Sequence, residues 1–262
     1  MAERTLVANV VVEQQDEVAL LRIQRGKGNS LSPGLVEELL DALRAAPIAE
    51  SARALVVTGE GRFFSSGLDL LELSKLDRAG MLLFLDRLQG LLATLYVFGR
   101  PVIAAVNGHA VAGGCLLALC ADWRVLARGE ARIGLNELTL GVPLPQAGIE
   151  IVKAHLTTPA YAEVVYGGQT HGTDDALRLK LADEAVDADR VVAVAIERAR
   201  AFARHPSVAF HHMKAAVRDP VLLRIRARHD QHEEEWVDLW FSPPAQQRIQ
   251  EVRERLLAKK PG

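Results

Sequence analysis

Backbone amides are the groups best placed to do chemistry in the stretch Pro101 to Asp122, PVIAAVNGHAVAGGCLLALCAD. A short strand pattern, Val102 to Val106, is followed by an Asn107-Gly108 turn and then by Gly113-Gly114 at the head of an apolar run of helical length. First-turn N–H groups of a helix have no intrahelical acceptor, and glycine lets a ligand approach them closely. Such an N-terminus holds negative charge, either a standing anion such as phosphate or one that develops in a reaction, such as an enolate oxygen. A turn that serves only close packing is the alternative for this stretch taken alone. A second glycine-punctuated loop, Gly59 to Gly67, leads into Leu68-Asp69-Leu70 after the core-strand pattern Ala54 to Thr58. Loops of this kind are where α/β proteins commonly bind ligands. Side by side, the two loops would offer two N–H groups to one oxygen, which is what polarising a carbonyl and stabilising its enolate requires.

The side chains that could compete for the chemistry are weaker candidates. Ser65-Ser66 lacks the G-x-S-x-G elbow of a serine hydrolase, and no G-x-G-x-x-G dinucleotide fingerprint follows the first strand. Cys115 and Cys120 lie five apart within one apolar helix, the wrong spacing for a CxxC site, and read as buried reduced thiols. His229 and His232 share a helix face, but a third ligand is missing; a solvated charged face is expected there and no metal. His109 reads as a structural loop histidine. Trp236 and Trp240, one turn apart, point to core or subunit packing rather than to a ligand platform.

The elements that must position these groups follow from hydrophobic periodicity. Val7 to Val12 and Val18 to Ile23 suggest an antiparallel hairpin, and Ser32-Pro33 opens an amphipathic helix to about Ala46. Strand Ala54 to Thr58, helix Ala79 to Val97, strand Val102 to Val106, the Gly113 helix and strand Trp123 to Leu126 then alternate, which argues for a mainly parallel sheet. Beyond about Pro143 helices dominate: Gln146 to Leu156, Pro159 to Tyr166, Asp174 to Leu181, Arg190 to Arg204, Ser207 to Val217, Val221 to Phe241 and Pro244 to Lys259. Glu184 to Val186 reads as one further strand.

Four segments in this order and spacing resemble the crotonase superfamily, the enoyl-CoA hydratase/isomerase fold. They are Asn29-Ser30-Leu31, FFSSGLDL, PVIAAVNGHAVAGG and the run Ile133 to Gly141, and the agreement covers residues 20 to 145. The resemblance implies an α/β fold, a crotonase-like ββα spiral core over 1–200 with a C-terminal helical trimerisation segment over 201–262. It further implies that the oxyanion-hole amides belong to Leu68 and Gly113. Coenzyme A would lie against the Lys27-Gly28 loop and the backbone from Ser66 through Asp69 to Leu70. Of the family's two positions for catalytic carboxylates, one is occupied here by Leu116. The other survives as Glu137, with Asn136 where proline is usual.

That departure bears on mechanism. Hydrating a 2-enoyl thioester employs both carboxylates in this family, and Leu116 cannot hold water. Moving a double bond from C3–C4 to C2–C3 needs one base that takes a proton from C2 and returns it at C4. Apolar Leu116 would exclude water and, by desolvation, raise the Glu137 carboxyl toward a useful value. The expected activity is therefore enoyl-CoA isomerisation with Glu137 as single acid/base. The alternatives are a hydratase/dehydratase recruiting Glu150, otherwise a helix-surface acid, or a decarboxylase using a C-terminal histidine among His211, His212 and His229. A rival of another class is a CoA- or RNA-binding member without turnover. The chain also departs from the family at Pro143-Leu144-Pro145, which puts the shape of the acyl pocket in question.

Composition sets the remaining bounds. The 262 residues, 49% of them hydrophobic, suffice for one large core. With 31 basic and 33 acidic residues interspersed, the net charge of -2 carries no polyanion-binding signature, so nucleic acid is not an expected partner. No run approaches ~18 apolar residues and the N-terminus lacks a secretion pattern, so no membrane association is expected and the cytoplasm is the expected compartment. The expected partners are an acyl-CoA substrate and further copies of the chain, in a homotrimer or hexamer. The trimer rests on the resemblance together with the exposed-looking Trp236/Trp240 face. No cofactor is expected beyond coenzyme A as part of the substrate.

Overall fold

The computed structural model describes residues 4–45 and 47–258. β-branched runs joined by tight turns build the opening meander of β1 (Arg4–Val7), β2 (Val10–Gln15) and β3 (Val18–Ile23), all antiparallel. The run Val7 to Val12 is thus two strands, because Ala8 takes a φ of 38° and turns the chain, and Glu38 accepts from the neighbouring Asn9 amide at 2.9 Å. α1 (Pro33–Arg44) starts where the sequence places it. The Ser32 hydroxyl accepts from Leu35 N at 3.2 Å, and Leu35, Val36, Leu39, Leu40 and Leu43 are buried.

From there a unit repeats: a strand in a large sheet, a short strand in a small one, then a helix. β4 (Ala54–Gly59) and β5 (Phe63–Ser65) lead into α2 (Leu70–Leu73) and α3 (Arg78–Tyr96). β6 (Val102–Val106) and β7 (His109–Val111) lead into α4 (Gly113–Leu119), and β8 (Trp123–Ala127) and β9 (Ile133–Gly134) into α5 (Gln146–His155). The chain continues through α6 (Thr158–Tyr161), β10 (Thr170–His171), α7 (Thr173–Arg178) and β11 (Glu184–Val186), then α8 (Val191–Ala203), α9 (Ser207–Ala227), α10 (His229–Trp240) and α11 (Pro243–Ala258). The large sheet runs β1-β2-β3-β4-β6-β8-β11 and is parallel from β3 onward; the small one runs β10-β9-β7-β5. This is the expected ββα spiral.

Three differences from the sequence reading have physical causes. Residues 109–111, expected as loop, form β7, whose partners β5 and β9 come from other turns of the spiral. His109 is accordingly a strand residue, its ring 5.0 Å from that of Phe63. α9 runs unbroken through Pro220, where a boundary was expected, because Lys214 and Arg218 before the proline and Val221 and Ile225 after it are all buried. The break falls instead at Arg228, between α9 and α10.

Trp236 and Trp240 do not form an exposed face. They stack at 5.4 Å within the chain, each 1% exposed, and Trp236 Nε1 donates to Pro143 O at 2.7 Å. α10 packs on α3 and α5, and α11 packs on α2 and on the 3-10 turn Glu137–Leu140, so the C-terminal helices cover the chain's own core. Among the described residues no helix is long and apolar enough to cross a membrane, and no group of three His, Cys, Asp or Glu could hold a metal ion.

Candidate active site

The two glycine loops touch. Gly67 has a φ of 85°, and a Cβ there would lie 2.8 Å from Val111 O and 3.3 Å from Gly113 N, so only glycine permits this approach. Leu31 N donates to Gly67 O at 2.7 Å and Asp69 N to Leu31 O at 3.0 Å, which lays 67–69 along Leu31 as a parallel bridge. The Leu68 N–H has no acceptor among the described residues, and Gly113, the first residue of α4, has none within the helix. Two unpaired amides on contacting segments can hold one oxygen that carries developing charge.

The corner between them is strained. Ala112, just before α4, has φ 51° and ψ -122°, a region that costs a residue with a Cβ about 1–3 kcal/mol. Ala112→Gly is therefore expected to raise the unfolding free energy by about 1 kcal/mol after glycine's own entropic cost. Chemical denaturation with unchanged m-value checks this; a loss of stability would mean that the Ala112 methyl is needed for packing against Gly67.

The predicted coenzyme-binding residues fall on one patch. Lys27 is exposed, Ser66 N donates to Gly28 O at 2.9 Å, and a Cβ on Gly28 would meet Ser66 Oγ at 3.0 Å. Leu70 opens α2 and is buried, whereas Asp69 is engaged in architecture: it caps α2 through the Leu71 and Glu72 amides, both at 3.1 Å, and pairs with Arg25 at 2.6 Å. Burial works to raise the Asp69 carboxyl, but hydrogen bonds from Arg25, the Glu72 amide and Ser30 together hold it below the ordinary value. Arg25 escaped the sequence reading because its partners lie 44 and 47 residues away. Asn29 anchors the same turn from inside, with Oδ1 on Arg25 N at 2.9 Å and Nδ2 on the Glu60 and Phe63 carbonyls.

Glu137 begins the 3-10 turn after β9 and is buried, and its Oε2 has no hydrogen-bond partner. Desolvation pushes its carboxyl up to about 7, against weaker opposing bonds from its own amide and that of Asn136. Burial raises the Cys115 thiol as well, and the Glu137 charge adds to that rise. One residue on, Leu116 is 1% exposed and fills a slot between α4 and α5, where a Cβ on Gly148 would meet its Cδ1 at 2.9 Å.

Glu150 is not a surface acid. It is buried, with Lys153 Nζ at 2.9 Å on one oxygen and Arg224 Nε at 2.7 Å on the other. Burial acts to raise it, but the bonds from Arg224 and Lys153 hold it below its ordinary value, where it is a poor base. His211 and His212 are exposed on α9, the His229 side chain lies outside the described residues, and His232 Nε2 lies 3.0 Å from Leu144 O.

The family model described as enoyl-CoA hydratase/isomerase matches residues 13–260. The chain is 33% identical over 223 residues to a 2,3-dehydroadipyl-CoA hydratase of Escherichia coli, covering 84% of this chain and 86% of that one. It is similar in structure to a probable enoyl-CoA hydratase of Mycobacterium tuberculosis, with a TM-score of 0.83, 33% identity and coverage of 89% and 100%. It is also similar to the human mitochondrial delta3-delta2-enoyl-CoA isomerase, with a TM-score of 0.89, 28% identity and coverage of 97% and 100%.

Proposed function

Since the chain belongs to the enoyl-CoA hydratase/isomerase family, we propose that it moves the double bond of a 3-enoyl-CoA to the 2-position, with Glu137 as the single acid/base. The observation that carries this reading is a buried carboxylate with an unengaged oxygen and a value of about 7, while buried Leu116 stands at the position where the family resemblance places a second acid. In the reaction the Glu137 carboxylate takes a proton from C2. The electron pair moves through C2=C1 onto the thioester oxygen, which the Leu68 and Gly113 amides hold; losing one such donor typically costs ~2.7–4 kcal/mol in the barrier. The dienolate then collapses to C2=C3 as the carboxylic acid returns the proton at C4. Coenzyme A lies along Lys27, Gly28 and the Ser66 to Leu70 backbone, and no other cofactor takes part.

Hydration would need a second polar group to hold water, and the nearest acid in sequence on α5, Glu150, has both oxygens tied to cations. The test is to give the protein a 3-enoyl-CoA and, separately, a 2-enoyl-CoA in D2O and follow products by mass and NMR. Conversion of the first to 2-enoyl without gain of water is the expected result; water adding across the second would overturn the single-carboxylate mechanism. Binding of RNA at physiological salt without turnover of either thioester would favour the non-catalytic rival.

The assembly proposed is a homotrimer or a hexamer. With the tryptophans buried, its support is the run Val208, Met213, Val217 and Leu223 along α9, all at least 65% exposed. Light scattering that gives a monomer would remove it. Two buried thiols fit a reducing compartment, the cytoplasm in this reading.

A further inference from the structure

The segment that follows Glu137 is tied down in an unusual way. Its 3-10 turn ends at Gly141, where φ is 77°, and α5 begins at Gln146. Between them lie Pro143-Leu144-Pro145, in which the prolines have no N–H, so the segment offers mainly carbonyls as handles. Two successive carbonyls are engaged by side chains one turn apart on α10: Pro143 O by Trp236 Nε1 at 2.7 Å and Leu144 O by His232 Nε2 at 3.0 Å. At the far end Ala147 N donates to Gln89 Oε1 at 2.9 Å, and Gln89 Nε2 donates to Glu233 Oε1, again on α10, at 2.7 Å. At the near end Gly141 rests on α11, where its Cβ would lie 3.6 Å from Ala245 Cα.

We propose that Trp236 and His232 are positioning residues for the Glu137 carboxylate, acting through the carbonyls of Pro143 and Leu144. The inference rests on the reading of Glu137 as the acid/base. Glu137 Oε2 has no hydrogen-bond partner and the bonds this carboxylate does receive come from its own amide and that of Asn136, so its placement depends on its backbone, and the backbone depends on the latch from α10. Displacing a reacting group by about 1 Å can cost a factor of 10² in rate. The latch also keeps water from the carboxylate, whose shift has desolvation as its largest cause and receives nothing from a charged side chain; the Cys115 thiol on α4 is the titratable neighbour that senses it. Ordinary core packing would explain the buried, stacked indoles, but not why the donor groups converge on two adjacent carbonyls.

Trp236→Phe keeps an aromatic ring beside Trp240 and removes only the donor; His232→Leu removes the second donor, and His232→Gln restores an N–H. With a 3-enoyl-CoA as substrate, Trp236→Phe and His232→Leu are expected to lower kcat about tenfold with KM within twofold, and His232→Gln to recover most of the loss. In the free enzyme, 13C-carboxyl NMR is expected to show Glu137 titrating at least half a pH unit lower in both donor-less variants than in wild type. Wild-type kcat and an unmoved titration, with only a lower Tm, would overturn the latch and leave its residues structural. Full turnover by Glu137→Gln would instead remove the base assignment, while the NMR titration would still decide whether the latch controls the carboxylate.

Discussion

Glu137→Gln is expected to lower turnover by about 10²–10⁴-fold while making the fold harder to melt at pH 8. The two effects share one cause. A carboxylate desolvated to a value of about 7 is a strong enough base to take a proton at neutral pH, and it is also a charge the folded state would rather not hold. Its ordinary value is 4.5, so between there and about 7 the folded chain binds a proton that the unfolded chain has released. Stability from this group is therefore complete below pH 4.5 and is lost as pH rises through about 7. Glutamine has nothing to lose. At pH 8 the variant should gain on the order of 2–3 kcal/mol over wild type, and at pH 5 under about 1. Activity runs the other way: wild-type kcat/KM should rise through about pH 7 to a plateau, because only the ionised carboxylate removes the C2 proton. Thermal melts at both pH values and a kcat/KM profile check the pair. A variant no more stable than wild type at pH 8 would mean that Glu137 is solvated when folded.

What the sequence disclosed, and what it did not, follows from the range of the interactions involved. The αβ order, the Ser32 cap and the Gly113 helix start are local, and they are found where the periodicity and turn residues put them. β5, β7 and β9 are two or three residues long and are defined only by partners from other turns of the spiral, so no local pattern announces them. The same holds at the site. Glu137 and the Leu116 departure can be read from position alone, but the burial that raises Glu137 depends on elements distant in sequence, among them α11, which packs on its turn. Glu150 looked like a surface acid because one of the two cations that engage it, Arg224, is 74 residues away. Trp236 and Trp240 looked available to another subunit because the acceptor of Trp236, Pro143 O, belongs to a loop 93 residues earlier. In each case the type of residue was legible and its partner was not.

Asp122→Ala is expected to be the most destabilising of the substitutions considered, at about 3–5 kcal/mol, although Asp122 lies at no proposed chemical step. The carboxylate terminates the turn after α4 and accepts from Val102 N at 2.8 Å. It also pairs with Lys214 Nζ and with an Arg218 guanidinium nitrogen from α9, each at 2.7 Å. Both cations are buried, Arg218 also donates to Cys120 O at 2.6 Å, and its guanidinium lies 4.2 Å over the Tyr96 ring. Removing the acid leaves two positive charges facing each other out of water, which is a different loss from removing one of them. Lys214 shows the asymmetry: desolvation outweighs the attraction of Asp122 and brings its ammonium down to about 8. Lys214→Met should accordingly stay within ~1 kcal/mol of wild type at pH 7, since Arg218 still neutralises the carboxylate. The sign with pH follows. Because the folded value of Lys214 lies below its ordinary 10.5, the unfolded chain binds more protons between about 8 and 10.5, and wild-type stability gains across that interval. Lys214→Met should lack that gain. Urea denaturation of both variants at pH 7 and at pH 10 tests the argument, and equal losses for Asp122→Ala and Lys214→Met would show that the cluster acts as one neutral pair with a bystander arginine. Unequal losses would make the single carboxylate the fastener of α9, and with it of Arg224, one of the two cations that keep Glu150 out of the chemistry.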